Sequence, residues 1–497
     1  MHDSSHYRLP FKSTLALNSL ASLRSCYLLT LLTACLAISL TVGCGAEAEN
    51  PLEEDVQTFV APDPVSILFV DTENVAEEIK RQWLARRDGQ MSYTTLTTEQ
   101  FLEDVDGSLQ QHDAIVYPCP MLGELVDRKT VMEIPKTVWK ENEFSKRLLR
   151  NCRTINISYR KRKWAIPLGN PQLCLMYRAD VLKALNAKPP TSWAQFFAIA
   201  ETLRNTEELK DEAGNLLPLE VDMPASKGWA ANSLLAVAAA RVRNRGKLGA
   251  AFERNDARAL INRPPFVDAL NEVKSIFSSH PQQRSPQEIA IRIFEGKTAM
   301  AVGWPSSAFF ESEADDPNEN INVIALPGSS RWYDFESGSW NDRDEVLTVD
   351  LLGFSGRNIS VLSTTANPNN SFEFAAWLGE KQISLNTMSR SHFTGPFHFS
   401  HLGNVFQWGG EQMNQDAGNA YADLIAESQD RKVYLLFPRI PGNQKYIHAL
   451  DDAIRRCLKN QSNAQTELDA VAEQWEEITD SLGRDKQKRA LRFNDGI

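Results

Sequence analysis

Nowhere in its 497 residues does the chain carry the spacings by which the common hydrolases and nucleotide enzymes are read. There is no GxSxG elbow to expose a serine and no HExxH helix to hold zinc. Gly296-Lys297-Thr298 ends like a phosphate-binding loop, but Ile291 stands where the upstream glycine belongs, so the backbone cradle is missing. The eight histidines are scattered. Beyond position 44 only Cys119, Cys152, Cys174 and Cys457 remain, without CxxC spacing or a neighbouring histidine cluster, which argues against a metal site. No cofactor is expected. An oxidising compartment permits a disulfide, Cys119 and Cys152 being the nearest pair in sequence, and spacing alone does not decide it. Basic runs are also scarce. The densest, Arg160-Lys161-Arg162-Lys163, reads as a solvated strand edge, and a net charge of −11 excludes nucleic acid as the natural partner. Internal repeats are absent, and the one biased segment is an acidic stretch near the start.

The amino terminus is what the chain has instead. Residues 1–26 are polar and basic up to Arg24, and 27–42 form an apolar run broken only by Thr, Ser and Cys. That is signal-peptide anatomy, and the run falls short of the ~20 residues needed to span a bilayer. It ends Leu40-Thr41-Val42-Gly43-Cys44, which resembles a bacterial lipoprotein box with Cys44 as the acylated residue, although Thr41 stands where such boxes usually have Leu. Leu32-Thr33-Ala34-Cys35 fits the box better, but cleavage before Cys35 would leave 36–40 apolar on the mature protein, so Cys44 is preferred. Residues 44–64, acidic and proline-containing, then read as a tether between membrane and folded body.

The rest is too long for one ordinary core, and its 42% hydrophobic and 24% charged residues are those of a soluble globular protein, so two lobes are expected. The organising stretch is 163–182. Apolar 164–168 meets Gly169-Asn170-Pro171, and a second apolar run, 173–177, opens into a helix at Asp180. Proline and the turn residues forbid one continuous strand, so the segment is read as a crossing between two bodies, a natural place for a polar ligand. Before it, strands at 65–70 and 112–117 each lead through a polar turn into a helix, the opening of an α/β unit. Asp71 and Tyr117 sit at the carboxyl ends of those strands, where open α/β sheets bind ligands. After it come helices at 193–203, 230–243, 266–277 and 286–294, a strand at 298–302 running into Trp304, and a strand at 322–326. An irregular aromatic stretch holds Trp332, Tyr333, Phe335 and Trp340. A returning pair of strands is expected at 346–354 and 359–362, with two amphipathic helices, 446–458 and 466–478, at the end. Trp229, Trp304, Trp332 and Trp340 lie beside Gly, Pro or Ser, either as packing residues or as walls of a sugar-stacking cleft.

In their order these motifs resemble the extracellular solute-binding proteins of family 1, the maltose-binding-like receptors of ABC importers. The resemblance rests on 164–171, on Leu175-Met176-Tyr177-Arg178-Ala179-Asp180-Val181-Leu182 with Pro189-Pro190-Thr191-Ser192-Trp193, and on Phe294-Glu295-Gly296-Lys297-Thr298-Ala299-Met300-Ala301-Val302. It implies a two-lobed periplasmic-binding fold of type II in the α/β class. Lobe one would be 65–168 plus 351–382, and lobe two 173–326 plus 395–497, joined by two or three crossings. It implies an extracytoplasmic receptor, monomeric and lipid-anchored, closing on a sugar or oligosaccharide and serving an ABC permease. The binding role falls to Asp71, Tyr117, Asn170, Trp229 and Trp304, with Gln172 and Trp340 behind them. The aromatic insert around 332–340 departs from the plain maltose-receptor pattern. Two other classes stand beside this one. A lipid-anchored glycosidase would need two carboxylates about 5 to 9.5 Å apart, which Asp71 and Glu73 could supply, although acids after a first strand more often cap the next helix. A two-lobed sensor would keep the fold without feeding a transporter.

Overall fold

Val65–Val70 (β1) is buried along almost its whole length, the pattern of a strand covered on both faces of a parallel sheet. In the computed structural model, which describes residues 64–495 apart from 73–74, 88–89, 142–143, 245–246, 249, 278–281, 307–317, 392–394 and 410–412, β1 leads into Val75–Arg87 (α1). The leader, Cys35, Cys44, nearly all of the tether and Glu73 lie outside the described residues. Met91–Leu96 (β2) pairs with β1 in parallel, Val65 opposite Met91. Its polar, half-exposed sequence Met-Ser-Tyr-Thr-Thr-Leu carries little apolar signal, and the sequence reading has no strand there. Thr97 and Gln100 then form a capping box that starts Thr98–Glu103 (α2). Ala114–Pro118 (β3) lies parallel on the other side of β1.

The crossing follows. Ile166–Gly169 (β4) belongs to the first sheet, whereas Cys174–Arg178 (β5) lies in a second sheet with Val221–Asp222 (β6), Met300–Gly303 (β7) and Ile321–Ala325 (β8), in the order β8-β5-β7-β6. Ala230–Val242 (α3) is buried at every position, because alanine lets it sit close to its neighbours on all sides.

The next segment corrects two expectations. The aromatic stretch is an antiparallel hairpin, Ser329–Asp334 (β9) with Ser339–Leu347 (β10), its register shifting once between Ser329 and Arg331. The anticipated returning pair does not form. Asp350–Leu352 (β11) pairs in parallel with Tyr434–Leu436 (β13), while Arg357–Val361 (β12) returns to the first sheet between β3 and β4, antiparallel to both, giving β2-β1-β3-β12-β4. Gly353 and Gly356, at φ of 73° and 95°, turn the chain between them. All five residues of β12 are buried, which suits a sheet interior and no edge.

The chain therefore passes between sheets at 170–173 and at 353–356, and a third connection runs from β13 through 437–442 into Asn443–Leu458 (α4). Ala464–Leu482 (α5) packs on α4, and a third helix that the sequence reading lacks, Arg484–Asn494 (α6), reaches back to the first lobe. Lys486 pairs with Asp127 at 2.6 Å, and Phe493 lies 6.0 Å from Tyr159. The basic run proves to be the turn and second strand of a small hairpin, Arg160 and Lys161 making the two-residue turn at positive φ and Arg162 and Lys163 the strand. All four cysteines are free and buried, Cys119 donating to the Asn156 carbonyl at 3.5 Å, so the disulfide that spacing permits is not formed. No described helix is long and apolar enough to cross a membrane.

Candidate functional site

The two sheets point their connecting loops at a common cavity of about 330 Å³. From the first lobe, β1 ends at Asp71, held at φ 50°, a left-handed conformation that Asp tolerates better than most residues. Its carboxylate accepts the Thr98 N–H at 2.9 Å and the Thr98 hydroxyl, so it anchors the start of α2 while lining the cavity. Arg357, at the start of β12, donates through Nε to the Asp71 carbonyl at 3.1 Å and through Nη1 to the Gly356 carbonyl at 3.1 Å. Pro118 and Pro120 continue the wall beyond β3.

From the second lobe, the loop before α3 brings Lys227, Gly228 and Trp229, and the first turn of the helix brings Asn232. This loop is fixed from behind. The N–H groups of Ala225 and Ser226 donate to the Arg284 carbonyl, and the Arg284 guanidinium is paired with Asp222 at 2.5 Å. Asp451 of α4 accepts the Gly228 N–H at 2.9 Å and the Ala231 N–H at 3.3 Å, capping α3 from another helix. Burial pushes the Asp451 carboxyl above its ordinary pKa, against the pull of those N–H groups. The hinge itself adds Phe354 and Ser355, and α4 adds Asn443 and His448.

Three lining side chains, each no more than 4% exposed, end in polar atoms without a hydrogen-bond partner: Asn232 Oδ1, Ser355 Oγ and Asn443 Oδ1. Buried polar atoms are rarely left so, because the loss of water costs about 1–3 kcal/mol each. Around them Trp229 and Phe354 supply apolar rings. Lys227 and Glu99 face each other across the mouth at 3.4 Å, one from each lobe. The Glu99 carboxyl is held below the usual range, first by a hydrogen bond from its own backbone and then by Lys227. With Asp71 and Glu99 against Lys227 and Arg357, the fixed charges of the lining balance.

Of the residues singled out from sequence, Asp71 and Trp229 line this cavity. The other five stand elsewhere. Tyr117 is fully buried within β3, its hydroxyl bonded to Ser360 at 2.8 Å, so it belongs to the core. Asn170 turns at the crossing with its N–H on the Gly395 carbonyl, and Gln172 is buried there against Tyr421 and Asp350. Both brace the hinge. Trp304, 1% exposed, lies one layer back, 5.6 Å from Trp229 and 6.1 Å from Phe354, where it supports the rings that line the cavity. Trp340 sits on the hairpin with Arg331 over its ring at 4.8 Å, beside a different cavity. Asn232, Ser355 and Asn443 escaped the sequence reading. The one signal was Asn232 itself, which with Ser233 and Arg241 interrupts a largely apolar, alanine-rich helix. Among the described residues no group of three or more His, Cys, Asp or Glu side chains could hold a metal ion.

Comparison with known proteins bears on the family and the fold. The profile of a family described as bacterial extracellular solute-binding protein matches residues 90–398, more than half of the chain. No curated protein matches in sequence. Among solved structures, an ABC transporter solute-binding protein from Agrobacterium radiobacter in complex with ribitol superposes with a TM-score of 0.64 at 13% identity, covering 84% of this chain and 98% of its own. One from Thermotoga lettingae, bound with α-D-tagatose, gives 0.62 at 13% identity over 84% of this chain and all of its own. Maltose-bound MalE3 from T. maritima gives 0.60 at 12% identity with the same coverage. At such identities the likeness is one of fold, and the fold is the two-lobed α/β architecture of these receptors.

Proposed function

Since the chain belongs to the bacterial extracellular solute-binding proteins and so works outside the cytoplasm, we propose that it captures a small, uncharged, polyhydroxylated solute, a sugar or polyol, between its lobes and delivers it to the permease of an ABC importer. The observation that carries this reading is the pairing of orphaned Asn232, Ser355 and Asn443 atoms with the Trp229 and Phe354 rings in one cavity. Hydroxyl groups would satisfy the first, and the apolar face of a sugar ring would lie on the second. Balanced charge in the lining favours a neutral solute, and a volume near the low end of the roughly 300–1,000 Å³ typical of ligand pockets favours one ring or an open-chain polyol over a long oligosaccharide. Ribitol, tagatose and maltose in the structural relatives belong to the same chemistry. The chain acts without catalysis, as a monomer held to the membrane through a lipid on Cys44.

A thermal-shift screen against sugars and polyols tests the reading. A true ligand at a hundredfold over its dissociation constant adds about 2.7 kcal/mol and raises the melting temperature, and Trp229→Ala removes the rise. Turnover of an aryl glycoside, without any shift, would replace the receptor by a hydrolase.

A further inference from the structure

The basic turn at Arg160-Lys161 lies beside the last helix, α6, and neither lines the cleft. Helix α6 buries Gln487, Ala490, Leu491 and Asn494, so its opposite side faces solvent. That side carries Lys486, Lys488, Arg489 and Arg492 with one acid, Asp485. Lys486, Arg489 and Phe493 follow one another at helical spacing, i, i+3 and i+7, and so share the edge that meets the turn. Two contacts fix that meeting. Asp127 is shared by Arg160 at 2.8 Å and Lys486 at 2.6 Å, and the Arg160 guanidinium lies over the Phe493 ring at 5.1 Å. Lys161, Arg489 and Arg492 are exposed and have no carboxylate partner among the described residues. Around these three the other charges balance. Arg160 and Lys486 have one acid between them, Arg484 holds both Glu476 at 2.6 Å and Asp480 at 2.8 Å, and Lys488 meets Asp485 at 3.3 Å. Three positive charges are left over on one strip of a chain whose net charge is −11.

We propose that this strip is a docking surface for the anionic headgroups of a lipid bilayer. Unpaired cations spread along an exposed strip suit a plane of phosphates, where each meets a separate headgroup. The negative charge of the rest of the chain opposes the contact only weakly, because physiological salt screens it beyond about 8 Å. Lys486 and Phe493 rest on residues of the first lobe, so the bilayer holds that lobe and leaves the second to move against it. The assignment depends neither on the solute in the cleft nor on a lipid at Cys44.

Co-sedimentation with vesicles tests the assignment on the full chain carrying Cys44→Ser, which cannot be acylated there. Vesicles of phosphatidylcholine are compared with vesicles of phosphatidylcholine and phosphatidylglycerol in equal parts. The anionic vesicles should bind at least about tenfold more tightly, and added salt should remove the difference. Lys161→Gln/Arg489→Gln should lower the affinity for them at least about tenfold. Lys188→Gln/Lys459→Gln, the same loss of charge at exposed positions on the second lobe, should leave it unchanged. The charges of the leader are common to every variant, and an unchanged melting temperature shows that each is folded. Equal binding to both kinds of vesicle overturns the proposal. So does an equal loss in the two double variants, which would reduce the effect to net charge. Binding of poly-L-glutamate without any preference for anionic vesicles would give the strip to an acidic protein and overturn it as well.

Discussion

Trp229 and Trp304 lie 5.6 Å apart and should respond to substitution in opposite ways. Trp229→Ala removes a ring from the cleft, and solute affinity is expected to fall at least about tenfold with little change in the denaturation midpoint. Trp304→Ala leaves a void behind that ring at a site 1% exposed, and about 3–5 kcal/mol of stability should be lost, measured as a lower urea midpoint with an unchanged slope. A second residue-scale expectation concerns His398 and His401, stacked with ring centres 5.1 Å apart and buried. Burial is the main cause that pushes their pKa values down to about 4 and about 2. A folded pKa below the unfolded value means that the unfolded chain binds more protons, so this stability is present above about pH 6.5 and is lost as pH falls toward 4. At pH 5 each imidazole should contribute about 2 kcal/mol of destabilisation relative to neutral pH. His401→Gln, which can still bond Ser384, should flatten the pH dependence of the urea midpoint. These single-residue roles were the least legible in sequence. Tyr117 and Gln172 are polar residues at strand ends, and whether such a group meets solute or core depends on partners such as Ser360 and Asp350, more than 170 positions away.

Elements were far more legible, because their signals are local. The Ser285–Glu288 capping box with Pro286 marks a helix start that the structure reproduces at Pro286–Phe294, and the alanine run at α3 is displaced by one residue at its end. Where the reading failed, local signal was weak or ambiguous, as in the polar strand β2, or pairing was remote, as in β11 with β13. The hairpin β9–β10 is instructive because one side chain ties it down. Arg343 donates to the carbonyls of Ala240 at 3.0 Å and Ser329 at 2.9 Å, and to those of Arg243 and Asn244 Oδ1. Desolvation lowers its pKa to about 10. Arg343→Met keeps the apolar stem and should cost about 2–4 kcal/mol, because several partly buried acceptors lose a charged donor at once. Hydrogen exchange confined to 329–347 would show whether the loss stays within the hairpin.

At the scale of the molecule, the two-lobed plan was readable because the crossing at Gly169-Asn170-Pro171 breaks a strand pattern where only a change of sheet makes sense. The third connection went unread, although Pro438, Pro441 and Gly442 interrupt the apolar run 434–437 in the same way. Gly356 holds the middle crossing at φ 95°, with room for a Cβ denied by the Gly169 carbonyl at 2.4 Å. Gly356→Ala therefore meets both a strained backbone and a backbone collision. It should lower the melting temperature and abolish solute-induced compaction in small-angle scattering, whereas Gly214→Ala, where a Cβ meets nothing within 4 Å, should leave that compaction intact.

The strand β12 carries one more consequence. It fills the middle of the first sheet, between β3 and β4, but it is made nearly 190 residues after β4, with the whole second sheet in between. Until the chain has grown past Val361, both of those neighbours lack the strand that pairs with them in the finished sheet. Such long-range closure is slow to find, so refolding of the first lobe is expected to wait on the docking of β12.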